Sequence, residues 1–248
     1  MPDTRRLTVR RRRPAHPVPW LLPGVAVLAL AGLTGCGDSG GDGAGRHVSV
    51  HRYQVTQPVT TLLLRSGSGS VDVTGGSGPI SVQETLTFSG SPPSTRHQVQ
   101  GDSLTLDHGG CPGSGVRICG VSYRVEVPTA TTVRITTDNG TVDVRGLSGA
   151  LSLNTGAGMV QASDLRSPTV DVRSGAGSVT LRFAAPPRDV RVRTTVGSVG
   201  VYLPGGVAYT VDAHAAVGRS KISVAQQPDS THRITAGSDV GEVTVAPA

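Results

Sequence analysis

The stretch VDVRSGAGSVTL, residues 170–181, carries the pattern that decides the fold of this 248-residue chain. Apolar and polar residues alternate up to Ser174, Gly177 follows three residues later, and the alternation resumes with Val179. A period of two is typical of a β-strand with one buried face. The stretch therefore predicts two short strands joined by a corner that contains glycine.

The same pattern recurs along the chain. Four other copies without insertions are LLLRSGSGSVDV (62–73), VRITTDNGTVDV (133–144), LSLNTGAGMVQA (151–162) and VRVRTTVGSVGV (190–201), and residues 209–224 and 232–245 fit with insertions. The corner glycines at 140, 158, 177 and 197 advance by 18, 19 and 20 residues. Self-similarity at such a period indicates a repeat architecture.

Two all-β topologies fit these repeats. The strands could form an antiparallel meander or sandwich, for which DNG at 138–140 is a suitable hairpin turn. Alternatively, each repeat could be one coil of about 20 residues in a parallel β-solenoid. We favour the solenoid because equivalent positions recur at a nearly constant period and the chain has few aromatic residues. It predicts three inward ladders: Val133, Leu151, Val170 and Val190; Ile135, Leu153, Val172 and Val192; and Val142, Val160, Val179 and Val199.

Two further columns have structural interpretations. Each hydroxyl residue before the corner should bond a turn amide or its neighbour in the stack, since five equivalent copies are a poor fit to a nucleophile. The corner glycines should adopt a positive φ, and none forms a phosphate-binding motif. The hydroxyl column consists of Ser66, Thr137, Thr155, Ser174 and Thr194.

The first 35 residues have the parts of a secretory signal peptide: an arginine-rich start, an apolar core at 20–33 and small residues before a cysteine. They contribute +5 of the formal charge of +6, so the basic total gives no support for nucleic-acid binding. Leu33, Thr34, Gly35 and Cys36 resemble the lipobox of bacterial lipoproteins, with Cys36 as the acylated residue. Residues 36–46 then form a glycine-rich tether. We therefore expect a palmitate-type lipid anchor on the extracytoplasmic face of the cell membrane.

Cys111 and Cys119 remain as an even pair outside the cytoplasm, which favours a disulfide. A metal half-site with His108 and a redox pair are the alternatives.

The repeat behind a lipobox resembles the DUF4097 family of bacterial β-strand-repeat proteins, candidate adhesins related to autotransporter-head-like domains. The resemblance covers about residues 60–248 and most closely 131–245. It implies a parallel β-solenoid on the cell surface and brings no catalytic residues. Residues 47–130 depart from the regular pattern and form an irregular β region that is expected to cap the N-terminal end of the regular solenoid at 131–248.

The sequence offers no catalytic, metal or cofactor motif. Its histidines lack metal spacing, and Asp143, Asp171 and Glu242 occupy positions where solvated charge is the ordinary interpretation. Outward charges such as Arg134, Asp171 and Arg191 are expected to form ladders of alternating sign. We predict a membrane-anchored, non-catalytic surface module that binds an envelope protein or polymer. The alternative is a polysaccharide-active β-helix enzyme, which rests on fold analogy alone.

Overall fold

The computed structural model describes residues 45–111 and 118–248. The predicted signal peptide, the predicted lipobox residues Leu33, Thr34, Gly35 and Cys36 and most of the predicted tether lie outside the described residues. Over the described ranges no helix is long and apolar enough to cross a membrane.

The described chain consists of seventeen β-strands and no helix. The strands are β1 (His47–Val55), β2 (Thr61–Ser68), β3 (Val71–Gly76), β4 (Ile80–Phe88), β5 (Thr95–Gln100), β6 (Ser103–His108), β7 (Cys119–Pro128), β8 (Thr132–Asn139), β9 (Val142–Arg145), β10 (Leu151–Ala157), β11 (Val160–Leu165), β12 (Thr169–Ala176), β13 (Val179–Phe183), β14 (Asp189–Val196), β15 (Val199–Leu203), β16 (Thr210–Ile222) and β17 (Arg233–Pro247).

Each regular coil contains two strands that meet at a corner, and successive coils pair in parallel. On one side, called face A, β2, β8, β10, β12 and β14 are hydrogen-bonded in that order; on the other, called face B, β3, β9, β11, β13 and β15 follow the same order. β16 and β17 are long enough to run through the corner and contribute to both faces. The prediction of a parallel β-solenoid is confirmed, and the antiparallel alternative is not favoured.

The three predicted inward ladders are in register. Leu151 lies between Val133 and Val170, Leu153 between Ile135 and Val172, and Val160 between Val142 and Val179. All of their members are at most 3 % exposed. Since one buried valine or leucine contributes about 1.5–3 kcal/mol, these stacked side chains make the core a continuous source of stability along the solenoid.

The order of coils in space differs from their order along the chain at both ends. β17 lies between β14 and β16, so the last repeat inserts beneath the one before it. At the other end β6 and β7 stack outside β2 and β3, although they follow them in sequence. Antiparallel strands then cover this end: β5 pairs with β6, β4 with β7, and β1 with β4.

The corner glycines make the close stacking possible. Gly158 has a φ of 133°, and a Cβ atom built on it would collide with the carbonyl oxygen of Gly140 in the neighbouring coil. Gly177 stands in the same relation to Gly158, and Gly197 to Gly177. Both the backbone angle and the lack of space exclude a side chain at these corners.

Gly158→Ala should therefore lower the free energy of unfolding by about 2 kcal/mol or more, from the positive φ and the backbone collision together. Gly78→Ala is the matched control because a Cβ there meets no atom within 4 Å. Urea denaturation followed by circular dichroism measures both. Equal stabilities of the two variants would contradict this explanation of the corner.

Candidate interaction surface

The outer side of face A carries a row of charged and polar side chains. Arg134, Ser152, Asp171, Arg191 and Thr235 lie side by side across five parallel strands. The expected alternation of charge across strands holds only for Asp171 beside Arg191, because Ser152 separates Asp171 from Arg134.

The ion pairs run mainly along the strands. Arg173 contacts Asp171 at 3.3 Å and Arg191 contacts Asp189 at 2.7 Å, in each case two residues away on the same face of one strand. These pairs are largely exposed, so each contributes at most about 1 kcal/mol. Their main effect is to keep the outer surface of the sheet hydrated.

A different column lies at the corner, at the position just before each glycine. Aligned across seven coils, it changes from polar to apolar towards the C-terminal end of the stack, and we call it the corner column. Its members in spatial order are Ser68, Asn139, Ala157, Ala176, Val196, Val240 and Val217.

The last three members of the corner column are stacked, exposed valines. Val196 is 50 %, Val240 47 % and Val217 64 % exposed. Single exposed apolar residues are ordinary in soluble proteins, but neighbouring ones that form a continuous strip are typical of interaction surfaces. Because three consecutive coils contribute, the strip is held by the rigid part of the fold.

Charged side chains border the strip. Arg193 donates a hydrogen bond to Asp239 at 3.0 Å across two adjacent coils, beside Val196 and Val240. An apolar centre with a polar border is the usual arrangement of protein-binding surfaces. This surface was not predicted from the sequence, although an alignment of the residues before the corner glycines shows the change from polar to apolar side chains.

The inward hydroxyl column supports the corner from inside. The Thr194 hydroxyl donates to the carbonyl of Gly177 at 3.2 Å, and that of Ser238 to Gly197 at 2.8 Å, each in the neighbouring coil. Thr137 likewise donates to Gly67 at 3.3 Å. Ser66 donates to the carbonyl of Val121 and Thr155 to that of Ala157, so four of the five predicted members bond the backbone, through carbonyl oxygens rather than turn amides. The prediction is wrong for Ser174, whose hydroxyl is buried without a partner among the described residues.

The carboxylates considered for catalysis do not form one site. Asp143 lies on face B and accepts two hydrogen bonds of 2.9 Å from Arg145, whereas Asp171 lies on face A beside Arg173. Glu242 is exposed at the corner. Over residues 45–111 and 118–248, no three acidic, cysteine or histidine side chains are grouped to hold a metal ion.

Cys111 and Cys119 are joined by a disulfide with their Cα atoms 6.1 Å apart. A cavity of about 210 Å³ lies next to it, with His108 and Asp138 in its lining. The ring nitrogen Nδ1 of His108 accepts a hydrogen bond of 3.1 Å from the amide of Gly110, a local role that closes the start of the loop.

One buried polar cluster lies near the N-terminal end. Glu84 is 1 % exposed and accepts a hydrogen bond of 2.6 Å from the Tyr53 hydroxyl, while the hydroxyl of Tyr123 is buried without a partner. Burial, followed by the hydrogen bond to Glu84 and the charge of Glu84, raises the pKa of Tyr53. Burial, and then the charges of Glu84 and Asp107, raise the pKa of Tyr123. Both tyrosines are therefore held neutral in the folded protein.

Comparison with known proteins identifies relatives of this architecture. The family model described as Toastrack DUF4097 matches residues 54–246. Among solved structures, a candidate cell adhesion protein from Clostridium sporogenes is similar over 82 % of this chain and 100 % of its own, with 16 % identity and a TM-score of 0.53. A candidate adhesin from Bacteroides fragilis matches over 82 % of this chain and 97 % of its own, with 15 % identity and a TM-score of 0.45. No protein with a curated description is similar enough to count as a match.

The raised pKa values of Tyr53 and Tyr123 predict a loss of stability in alkaline solution. Above pH 10 a tyrosine ionises in the unfolded chain but stays protonated in these buried positions. The contribution of the two tyrosines to the free energy of unfolding should therefore be fully present below pH 10 and decrease as the pH rises above 10. Tyr53→Phe should cost about 1–2 kcal/mol at neutral pH, because Glu84 loses its partner, and should make the alkaline fall shallower.

Tyr202→Phe is the matched control, since the Tyr202 ring lies against the Arg182 guanidinium at 4.1 Å on the outside of face B. Urea denaturation between pH 7 and 11 compares the three proteins. An alkaline fall as steep in Tyr53→Phe as in the parent would refute this assignment.

Proposed function

We propose that this chain, which belongs to the Toastrack DUF4097 family, is a membrane-anchored, non-catalytic surface module that binds a protein of the cell envelope through its corner column. The observation that carries the proposal is the strip of Val196, Val240 and Val217, three exposed valines from adjacent coils. A rigid solenoid with such a strip can bind a partner without changing shape, so little conformational entropy is lost on binding.

The chemistry of the strip favours a protein partner over a polysaccharide. Sugar-binding surfaces commonly stack aromatic rings on the sugar face, and aromatic residues make up only 3 % of this chain. Valines instead complement apolar side chains of a partner, with the Arg193–Asp239 pair at the border providing orientation. The related adhesin candidates support a role in attachment rather than in catalysis.

The membrane anchor is the second part of the proposal. The order of arginine-rich start, apolar core, lipobox and glycine-rich tether supports cleavage before Cys36 and acylation of its thiol. Two or more acyl chains give durable attachment, at about 0.8 kcal/mol for each buried methylene. The β-solenoid would then be held just outside the extracytoplasmic face of the cell membrane.

Replacing the three valines of the strip together by serine should weaken binding to isolated cell envelopes at least about tenfold, since each apolar contact contributes on the order of 1 kcal/mol. The matched control is Val48→Ser with Val50→Ser, two exposed valines on β1 at the other end of the protein. Sedimentation of tagged full-length protein with envelopes measures the difference. Binding by the triple variant that equals the parent's would reject the corner column as the binding surface.

Cys36→Ala should abolish labelling by an alkyne-modified palmitate and release the protein from washed membranes, because Cys36 is the cysteine at the end of the predicted lipobox and Cys111 and Cys119 are joined in a disulfide. The variant with Cys111→Ser and Cys119→Ser should still be labelled, which separates the loss of the acceptor from the loss of a cysteine in general. Labelling that persists in Cys36→Ala would contradict the anchor.

A further inference from the structure

The two ends of the solenoid are finished in different ways. At the N-terminal end, the coil formed by β6 and β7 is covered by the antiparallel strands β5 and β4. At the C-terminal end β16 is the outermost strand of both faces. Within the described residues, β16 pairs along its length only with β17, apart from a bridge between Tyr209 and Gln226 just before the strand begins. A row of backbone N–H and C=O groups is thus left on its outer edge.

The core is also incomplete at this end. The inward side chains of β17, such as Ile234 and Val245, are fully buried. The equivalent side chains of β16 and the residues after it pack against the core on one side and remain only half-buried. They are Val211, Ala213, Ala215, Ile222 and Val224. One more layer of strand would bury them as completely as the layers beneath.

The sequence of β16 allows the β16 strand of a second copy of the chain to form that additional layer. A two-fold axis through the corner would place residues 211–214 of one copy against residues 219–222 of a second, in antiparallel orientation and with inward positions facing inward. Val211 is then opposite Ile222, two inward apolar residues. Asp212 is opposite Lys221, two outward residues of opposite charge.

The charges on β16 favour this arrangement. Asp212 and Lys221 are both exposed, and neither takes part in an ion pair within the part of the chain that the structure describes. They lie on opposite sides of the corner, where they cannot reach each other within one chain. Opposite charges placed directly across an antiparallel pair are stabilising, and a two-fold interface forms each pair twice.

We propose that two copies of this chain associate end to end through antiparallel pairing of their β16 strands, with Asp212 of each copy opposite Lys221 of the other. The pairing extends both sheets across the interface and closes the open end of the core. At the N-terminal end the antiparallel strands β4 and β5 of the same chain cover the last coil, and in the dimer the antiparallel β16 of the second copy covers the C-terminal end. A second copy fits better than an unrelated partner because the apolar and the charged residues match in one and the same register.

The dimer has a consequence for attachment. β1, where the described chain begins, lies at the capped end of each copy, so the two anchors would emerge at the far ends of a double-length solenoid. Two separated anchors hold the solenoid more firmly than one, and the corner columns of both copies join at their valine ends, adjacent to the new interface.

Site-directed cross-linking tests the register in membranes of cells that produce the full chain. Asp212→Cys and Lys221→Cys are placed on separate, differently tagged copies and produced together, then treated with a mild oxidant. We expect a disulfide-linked species that carries both tags, and at least tenfold less dimer when either variant is produced alone. No mixed species, or equal cross-linking of the single variants, would overturn the proposed pairing.

Charge reversal provides the second test, which does not depend on disulfide geometry. In detergent-solubilised full chain, Asp212→Lys or Lys221→Asp should raise the dissociation constant of the dimer about tenfold, and the double variant should restore it. The substituted side chains are exposed, so all variants should unfold at the same urea concentration. A parent protein that stays monomeric at micromolar concentration, or a double variant as weak as the single ones, would overturn the inference, whether or not the valine strip binds its partner.

Discussion

The close approach of successive coils at the corner is the constraint on which the rest of the structure depends. Parallel strands lie about 4.8 Å apart, and at the corner this spacing brings the backbone of one coil against the glycine carbonyl of the next. Only glycine fits there, at Gly140, Gly158 and Gly177 alike. Once the corners are aligned, the inward valines and leucines of every coil must align as well. The core, the hydroxyl column and the corner column all follow from this alignment.

The same constraint explains how much of the fold the sequence predicts. Because every coil must satisfy one corner, the pattern repeats visibly, and the ladders that contain Leu151 and Val160 could be assigned without coordinates. The order of the coils could not. β16 and β17 carry the same pattern, and either could pair with β14, so the repeat contains no information on which does. The antiparallel strands β4 and β5 lack the corner motif, and their partners are determined by packing at the end of the core.

The candidate interaction surface was harder to predict from the sequence, because its residues occupy positions where the fold does not require a particular side chain. The position before each corner glycine points outward, so Asn139, Ala176 and Val196 fit the corner equally well. The side chain there is free to be selected for binding. By contrast, the outward arginines and aspartates are conspicuous in the sequence, yet several of them are neutralised within their own strand, as Arg173 is by Asp171. Deviation from the repeat is therefore a better guide to the candidate interaction surface of this protein than the repeat itself.

A stack of equivalent coils can in principle continue without limit, because the outermost coil can pair with another coil in the same way as it pairs with the coil beneath it. This chain ends the stack at one side with antiparallel strands, which present a different edge and so stop propagation. At the other side, β16 carries Ala215 where the two layers beneath carry the inward hydroxyl residues Ser238 and Thr194, and it adds exposed charges on the outer row. Charges of one sign would simply prevent pairing. Asp212 and Lys221 carry opposite signs on opposite sides of the corner, so the proposed antiparallel pairing with a second copy brings opposite charges together on both sides of the corner.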